Sequence, residues 1–396
     1  MVAESALATR ETSWNGGVSL EEHAILAASE IGALIALLVG DGYEVLAPTL
    51  RDGAIQYSAV ESAEELPQGW TDEQAAGKYR LKPRNDDAYF GYSVGPHSWK
   101  RFLHPAEVRL WQAERQGGAF RILNNETTSD KKKALLGVRP CELAAIRIQD
   151  RVLLEDRYRD PIYEARRSAA LLIAVQCTQS ASTCFCSSMG TGPAVSNGNT
   201  PDIVLTELRN RGPHRFLARA VTDRGSEFLG KLHTTAATEA DLHEAEAGVQ
   251  AAAAAQVRSI DQNGIRELLN QNFEHARWEL VAARCLSCAN CTMVCPTCFC
   301  TTVEDVSSVS GERAERWRKW DSCFTQAFSY IHGGSVRSSA KSRYRQWITH
   351  KLAAWKDQFG SSGCVGCGRC ITWCPAGIDI TEEVRALNNG GDRGDS

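Results

Sequence analysis

Cys285-Leu-Ser-Cys288-Ala-Asn-Cys291-Thr-Met-Val-Cys295-Pro296 and Cys364-Val-Gly-Cys367-Gly-Arg-Cys370-Ile-Thr-Trp-Cys374-Pro375 are two copies of one pattern, C-x2-C-x2-C-x3-C-P. Bacterial ferredoxin-type chains use this run to hold a cubane 4Fe–4S cluster. Three thiolates at this spacing can close on one face of a cube. The fourth, followed by a proline that stops the turn from continuing, points toward a second cluster. The expected ligand sets therefore cross: Cys285, Cys288, Cys291 and Cys374 for one cluster, and Cys364, Cys367, Cys370 and Cys295 for the other. Gly366 and Gly368 let backbone N–H groups approach the sulfurs, a contact that helps set potential. Zinc also takes C-x2-C pairs. Each run, however, offers four cysteines within eleven residues with a proline behind them, which favours iron–sulfur. Two adjacent cubanes make a short electron wire.

Around these runs the composition is ordinary. The 396 residues are 43% hydrophobic and 23% charged, with a net charge of −4, which gives no reason to expect nucleic-acid binding. The outlying count is 15 cysteines. A secreted disulfide scaffold would be short and would not place eight cysteines at ferredoxin spacing. Met1-Val-Ala-Glu-Ser lacks a basic segment followed by an apolar one, and Ile31 to Gly40 is too short to span a bilayer. The expectation is a cytoplasmic protein, not membrane-bound, in a compartment where thiols stay free for metal.

Residues 1–18 read as a loose arm and 19–240 as an α/β domain. Within it, a capping-box-like start at Ser19 predicts a helix reaching Val39, and residues 55–125 read as mainly β. Lys133–Pro140, Leu171–Val175 and Ile203–Leu205 read as buried strands alternating with helices. The Ser-, Thr-, Gly- and Asn-rich residues 178–202 read as a loop or a site lining rather than a core element. Alanine-rich residues 241–262 read as a helical connector. Residues 263–396 then form a mainly helical domain around a ferredoxin-like dicluster module, with a basic helical insertion over 301–360. Between Gly311 and Lys356 ten Lys/Arg (Arg313, Arg316, Arg318, Lys319, Arg337, Lys341, Arg343, Arg345, Lys351, Lys356) face three acids (Glu312, Glu315, Asp321), with tryptophans interleaved. Such a stretch could bind single-stranded nucleic acid. A cover that offsets the negative charge of the clusters and offers a docking face to partner subunits is the preferred reading.

Cys141, Cys177, Cys184 and Cys186 are four further cysteines, the number a third cubane or a zinc needs; the alternative is that they are buried apolar residues. Cys298, Cys300 and Cys323 lack a fourth partner and read as packing or supporting thiols. His97, His104, His332 and His350 read as structural histidines. Neither a P-loop nor a G-x-G-x-x-G after a strand occurs, and no C-x2-C pair is left over for a nickel site, so no catalytic residue is assigned.

Gly137-Val-Arg-Pro-Cys-Glu-Leu-Ala-Ala-Ile146, Cys184 to Pro193, Cys285 to Asp305, Trp320-Asp-Ser-Cys-Phe324, His332-Gly-Gly334, Arg343 to Leu352 and Gln358 to Asp379 together carry a family resemblance. The sequence resembles the beta subunits of cytosolic nickel–iron hydrogenases of the sulfhydrogenase type. It is similar, more distantly, to the corresponding electron-transfer component of anaerobic sulfite reductase. The resemblance implies a non-catalytic, electron-transfer subunit of an oxidoreductase complex, carrying two 4Fe–4S clusters. The implied partners are a subunit that binds flavin and NAD(P), together with the small and large nickel–iron hydrogenase subunits, in a heterotetramer or its dimer. The alternative it leaves open is the electron-transfer subunit of an anaerobic sulfite or polysulfide reductase.

Overall fold

The computed structural model describes residues 20–123, 132–155, 157–196 and 198–388; the arm expected over 1–18 lies outside them. Strands β1 (Ala24–Ala27), β2 (Glu44–Arg51) and β3 (Ala54–Ala59) open the chain, with helix α1 (Glu30–Gly40) between the first two. A hairpin of β4 (Trp70–Ala75) and β5 (Lys78–Pro83) and a second of β6 (Glu107–Gln116) and β7 (Ala119–Leu123) flank the short α2 (Lys100–Leu103). Then come β8 (Lys133–Val138), α3 (Pro140–Leu153), α4 (Pro161–Ala169), β9 (Leu171–Val175), β10 (Ile203–Leu208), β11 (Arg215–Ala220), α5 (Asp223–Leu229) and β12 (Thr234–Ala236).

Eight of these strands form one sheet in the order β12-β1-β11-β10-β9-β8-β2-β3, with β10, β9, β8 and β2 parallel to one another. All residues of β9 and β10 are buried, as expected of parallel strands covered on both faces. The two faces separate by alternation along each strand. Leu136, Ile173 and Leu205 pack with Ile31, Leu34, Ile35 and Leu38 of α1. Leu135, Leu172 and Val204 pack with Leu143 and Ile146 of α3 and Tyr163 of α4.

The helix expected from Ser19 to Val39 begins only at Glu30, because Ala24–Ala27 is taken up as a strand between β11 and β12. Tertiary pairing outweighs local helix preference there. The alanine-rich connector holds helix α6 (Glu239–Ala254), capped reciprocally by Thr238 and Asp241 and packed on the sheet through Ala245 against Leu208 of β10 and Leu217 of β11.

Past the connector the chain continues through α7 (Ile265–Gln271), α8 (Arg277–Arg284) and α9 (Asn290–Met293) into two strands, β13 (Thr301–Ser307) and β14 (Arg313–Trp320). These correct the mainly helical reading of this domain and the basic helical insertion over 301–360. β13 and β14 pair with β6 and β7 in the order β13-β14-β6-β7, so one sheet draws strands from both halves of the chain. The positive charge of β14 is met across strands: Arg316 binds Asp305 at 2.6 Å, Lys319 binds Glu304 at 2.9 Å and Arg313 binds Glu114 of β6 at 3.2 Å. A small pair, β15 (Tyr330–Ile331) and β16 (Gly334–Ser335), follows. The insertion is helical only in α10 (Ala340–Thr349), which runs through a π-turn at His350–Ala354 into α11 (Trp355–Phe359). Helices α12 (Arg369–Thr372) and α13 (Ile380–Asn388) complete the described chain. Among the described residues no helix is long and apolar enough to cross a membrane.

Candidate iron–sulfur centres

Helix α8 delivers the chain to Cys285, where Ser287 and Ala289 take left-handed backbone angles, φ 51° and 63°. Those two reversals wrap the first run around a cavity. Cys285, Cys288, Cys291 and Cys374 line it together with Phe324, Tyr344, Ile378 and Cys370, and no charged side chain does. The Ser287 N–H donates to Cys285 Sγ at 3.4 Å and the Ile378 N–H to Cys374 Sγ at 3.3 Å. Such N–H···S bonds stabilise a negatively charged, thiolate-ligated group.

The second run packs against the N-terminal half. Gly366 and Gly368 both have positive φ, 63° and 76°; a Cβ on Gly366 would lie 2.6 Å from the backbone of Phe185, and one on Gly368 would collide with the carbonyl of Thr183. Glycine is therefore required on both counts. The Gly366 N–H points at Cys364 Sγ at 3.5 Å, whereas Gly368 serves the close approach to Thr183. Cys364, Cys367 and Cys370 gather with Cys295 of the first run: burial, and then these neighbours, push the Cys370 thiol well up, and Cys364 reaches about 12. Thiols held this high stay protonated until a metal displaces the proton.

Cys295 differs. A hydrogen bond from Cys298, joined by the ammonium of Lys351, holds it well below the usual thiol range. Lys351 Nζ lies 3.3 Å from Cys295 Sγ, 3.0 Å from Thr297 Oγ1 and 3.1 Å from the Gly363 carbonyl. The π-turn carries this lysine, and such turns cluster at functional sites. Lys100, also buried, donates to the Cys298 carbonyl at 2.9 Å over the ring of Trp320. Neither lysine stands out in the sequence, because the groups they meet lie 12 to 198 positions away.

A buried ion pair was equally hidden. Arg369, within the second run, is fully buried against Glu142 of α3, and also donates to the carbonyls of Gly95 at 2.9 Å and His97 at 2.8 Å. Glu142 in turn accepts from the Trp99 N–H at 3.0 Å.

Of the remaining cysteines, Cys300 and Cys323 face one another beside Lys351. Cys141, Cys177, Cys184 and Cys186 come together past the C-terminal ends of β8 and β9, inside the strand order of the large sheet. The four histidines singled out in the sequence make other contacts. His97 bonds Arg101 at 2.6 Å, and His104 is buried, pushed down to about 4 by burial and by Arg318. His332 is exposed in the β15–β16 turn, and His350 lies tilted against Trp355, ring centroids 6.2 Å apart. Among the described residues no three Cys, His, Asp or Glu side chains close to the distances of a single metal ion. A zinc site would require that closure, with sulfur about 2.3 Å from the ion, whereas a cubane's thiolates stand at separate corners. Two sets of four cysteines, the second buried or half-buried and the first open to solvent at Cys288, with N–H donors on the sulfurs of Cys285, Cys374 and Cys364, fit cubane clusters.

Residues 284–378 match the family model described as a 4Fe-4S dicluster domain, so the chain is an iron–sulfur protein that carries such a domain. Over 275 residues it is 35% identical to "Sulfhydrogenase 2 subunit beta" of Pyrococcus furiosus, an alignment covering 67% of this chain and 79% of that protein. The chain belongs to the sulfhydrogenase beta-subunit family. No solved structure matches it.

Proposed function

We propose that this chain is a relay, with Cys285, Cys288, Cys291 and Cys374 holding one 4Fe–4S cluster and Cys364, Cys367, Cys370 and Cys295 the other. The observation that carries the reading is the crossing. The cavity of the first run contains Cys374 from the second, and Cys295 from the first sits among the second run's thiols. Each cluster, when bound, accepts and gives up one electron without bond chemistry. The chain's own part is to hold the thiolates, to aim N–H groups at them, and to place Lys351 where it favours the reduced state.

The chain works in the cytoplasm, linking a subunit that binds flavin and NAD(P) to the small and large subunits of a nickel–iron hydrogenase. Family membership supports this. The test is anaerobic: NAD(P)H should bleach the visible absorbance of the reconstituted chain only when the flavin subunit is present. A chain that stays colourless and iron-free, or that NAD(P)H bleaches alone, contradicts the proposal.

A further inference from the structure

Four cysteines outside both runs converge beyond the C-terminal ends of two interior strands of the large sheet. β8 and β9 are adjacent and parallel, and each is followed by a cysteine just past its C-terminal end: Cys141 in the first turn of α3, and Cys177 two residues after β9. The crevice beyond the carboxyl ends of parallel strands is where α/β sheets bind ligands. The loop between β9 and β10 folds back over this crevice and supplies Cys184 and Cys186. It is pinned by the Cys177 N–H on the Pro193 carbonyl at 3.2 Å and by the Thr191 N–H on the Cys186 carbonyl at 3.0 Å. Gly192 leaves room for a sulfur, since a Cβ there would lie 3.0 Å from Cys186 Sγ.

The surroundings repeat what is seen around the two runs. Arg139 hydrogen-bonds Cys177, and Gln256 Nε2 donates to Cys186 Sγ at 3.2 Å. The N-terminus of the 14-residue α3 presents its positive end at Cys141, favouring bound negative charge. Cys141 and Cys186 pack in one buried cluster with Cys367 of the second run. The Phe185 N–H donates to the Gly366 carbonyl at 2.9 Å, and the Glu142–Arg369 pair joins the residue after Cys141 to the one before Cys370.

We infer that Cys141, Cys177, Cys184 and Cys186 ligate a third 4Fe–4S cluster beside the one on Cys295, Cys364, Cys367 and Cys370, extending the relay to three stations. The neighbouring station rests on the function proposed above; the third site's own cysteines do not. Ligation releases one proton from each thiol. Thereafter a single electron passes between neighbours, oxidising one cluster and reducing the other.

The full chain, reconstituted anaerobically with iron and sulfide, should bind about twelve irons, three cubanes of four. Cys177→Ala/Cys184→Ala should lower the count to about eight, a loss of one third, while Cys323→Ala leaves it at about twelve. A wild-type count of about eight that the double variant does not change overturns the third site and leaves the two runs standing. If instead Cys364→Ala removes no iron, it is the two-run reading that fails. Should the double variant not fold, the wild-type count alone decides.

Discussion

Around α1 the large sheet is filled by leucine, isoleucine and valine, all at or near zero exposure. In the segment matched by the dicluster domain, cysteines share the packing instead: Cys364 is buried within that core, and Cys285, Cys291, Cys370 and Cys374 pack against it. The first core stabilises itself through apolar burial. The second is lined by thiols whose favourable state is metal-bound, so its stability is tied to iron. The largest expected effect follows from this difference. Stripping iron with a chelator should leave amide exchange slow in β8, β9 and β10, while speeding it around 285–295 and 364–374 on the order of a hundredfold. Equal protection of both regions in the iron-free chain would erase the contrast.

The two regions meet at a charged contact. Arg369→Leu strands Glu142, nearly unexposed, without its partner. The expected loss of unfolding free energy is about 3–5 kcal/mol. Arg369→Leu/Glu142→Leu should recover most of it, because no lone charge is left inside; chemical denaturation of the three proteins measures this.

A smaller effect sharpens the comparison within the cluster region. Lys351 reaches Cys295, whereas no charged side chain lines the other cavity. Removing a positive charge makes reduction harder, so Lys351→Met should lower the potential of the Cys295-bound cluster by on the order of 50–100 mV. The other cluster should stay nearly unchanged. EPR-monitored redox titration resolves the two.

A pH-dependent effect lies just before β6. His104 is buried, and its folded-state pKa of about 4 lies below the ordinary 6.5. The folded state resists the proton that the unfolded state accepts. This contribution is therefore fully present above pH 6.5 and is lost as pH falls toward 4, by at most about 3 kcal/mol. His104→Gln should flatten that part of the stability profile, which denaturation at about pH 7 and about pH 4.5 would show.

Spacing made the two cysteine runs legible, since ligands of one cube face must be near neighbours in the chain. The buried strands β8, β9 and β10 were legible as continuous apolar runs. What stayed hidden depends on partners distant in sequence. β1 is a strand because β11 and β12 flank it. The basic count over 311–356 suggested an unpaired positive surface, yet Glu114 of β6, outside that window, answers Arg313 at 3.2 Å. Arg369 stands between two cysteines of the second run, and its partner Glu142 lies in the other half of the chain.

The crossing of ligands is tested most directly by iron counts on paired variants of the full chain. Cys285→Ala/Cys374→Ala alters one proposed cluster, so it should lose about four irons. Cys285→Ala/Cys295→Ala alters both and should lose about eight. The opposite ranking, with the second pair costing one cluster and the first pair two, would show that each run closes on its own cluster and would contradict the account.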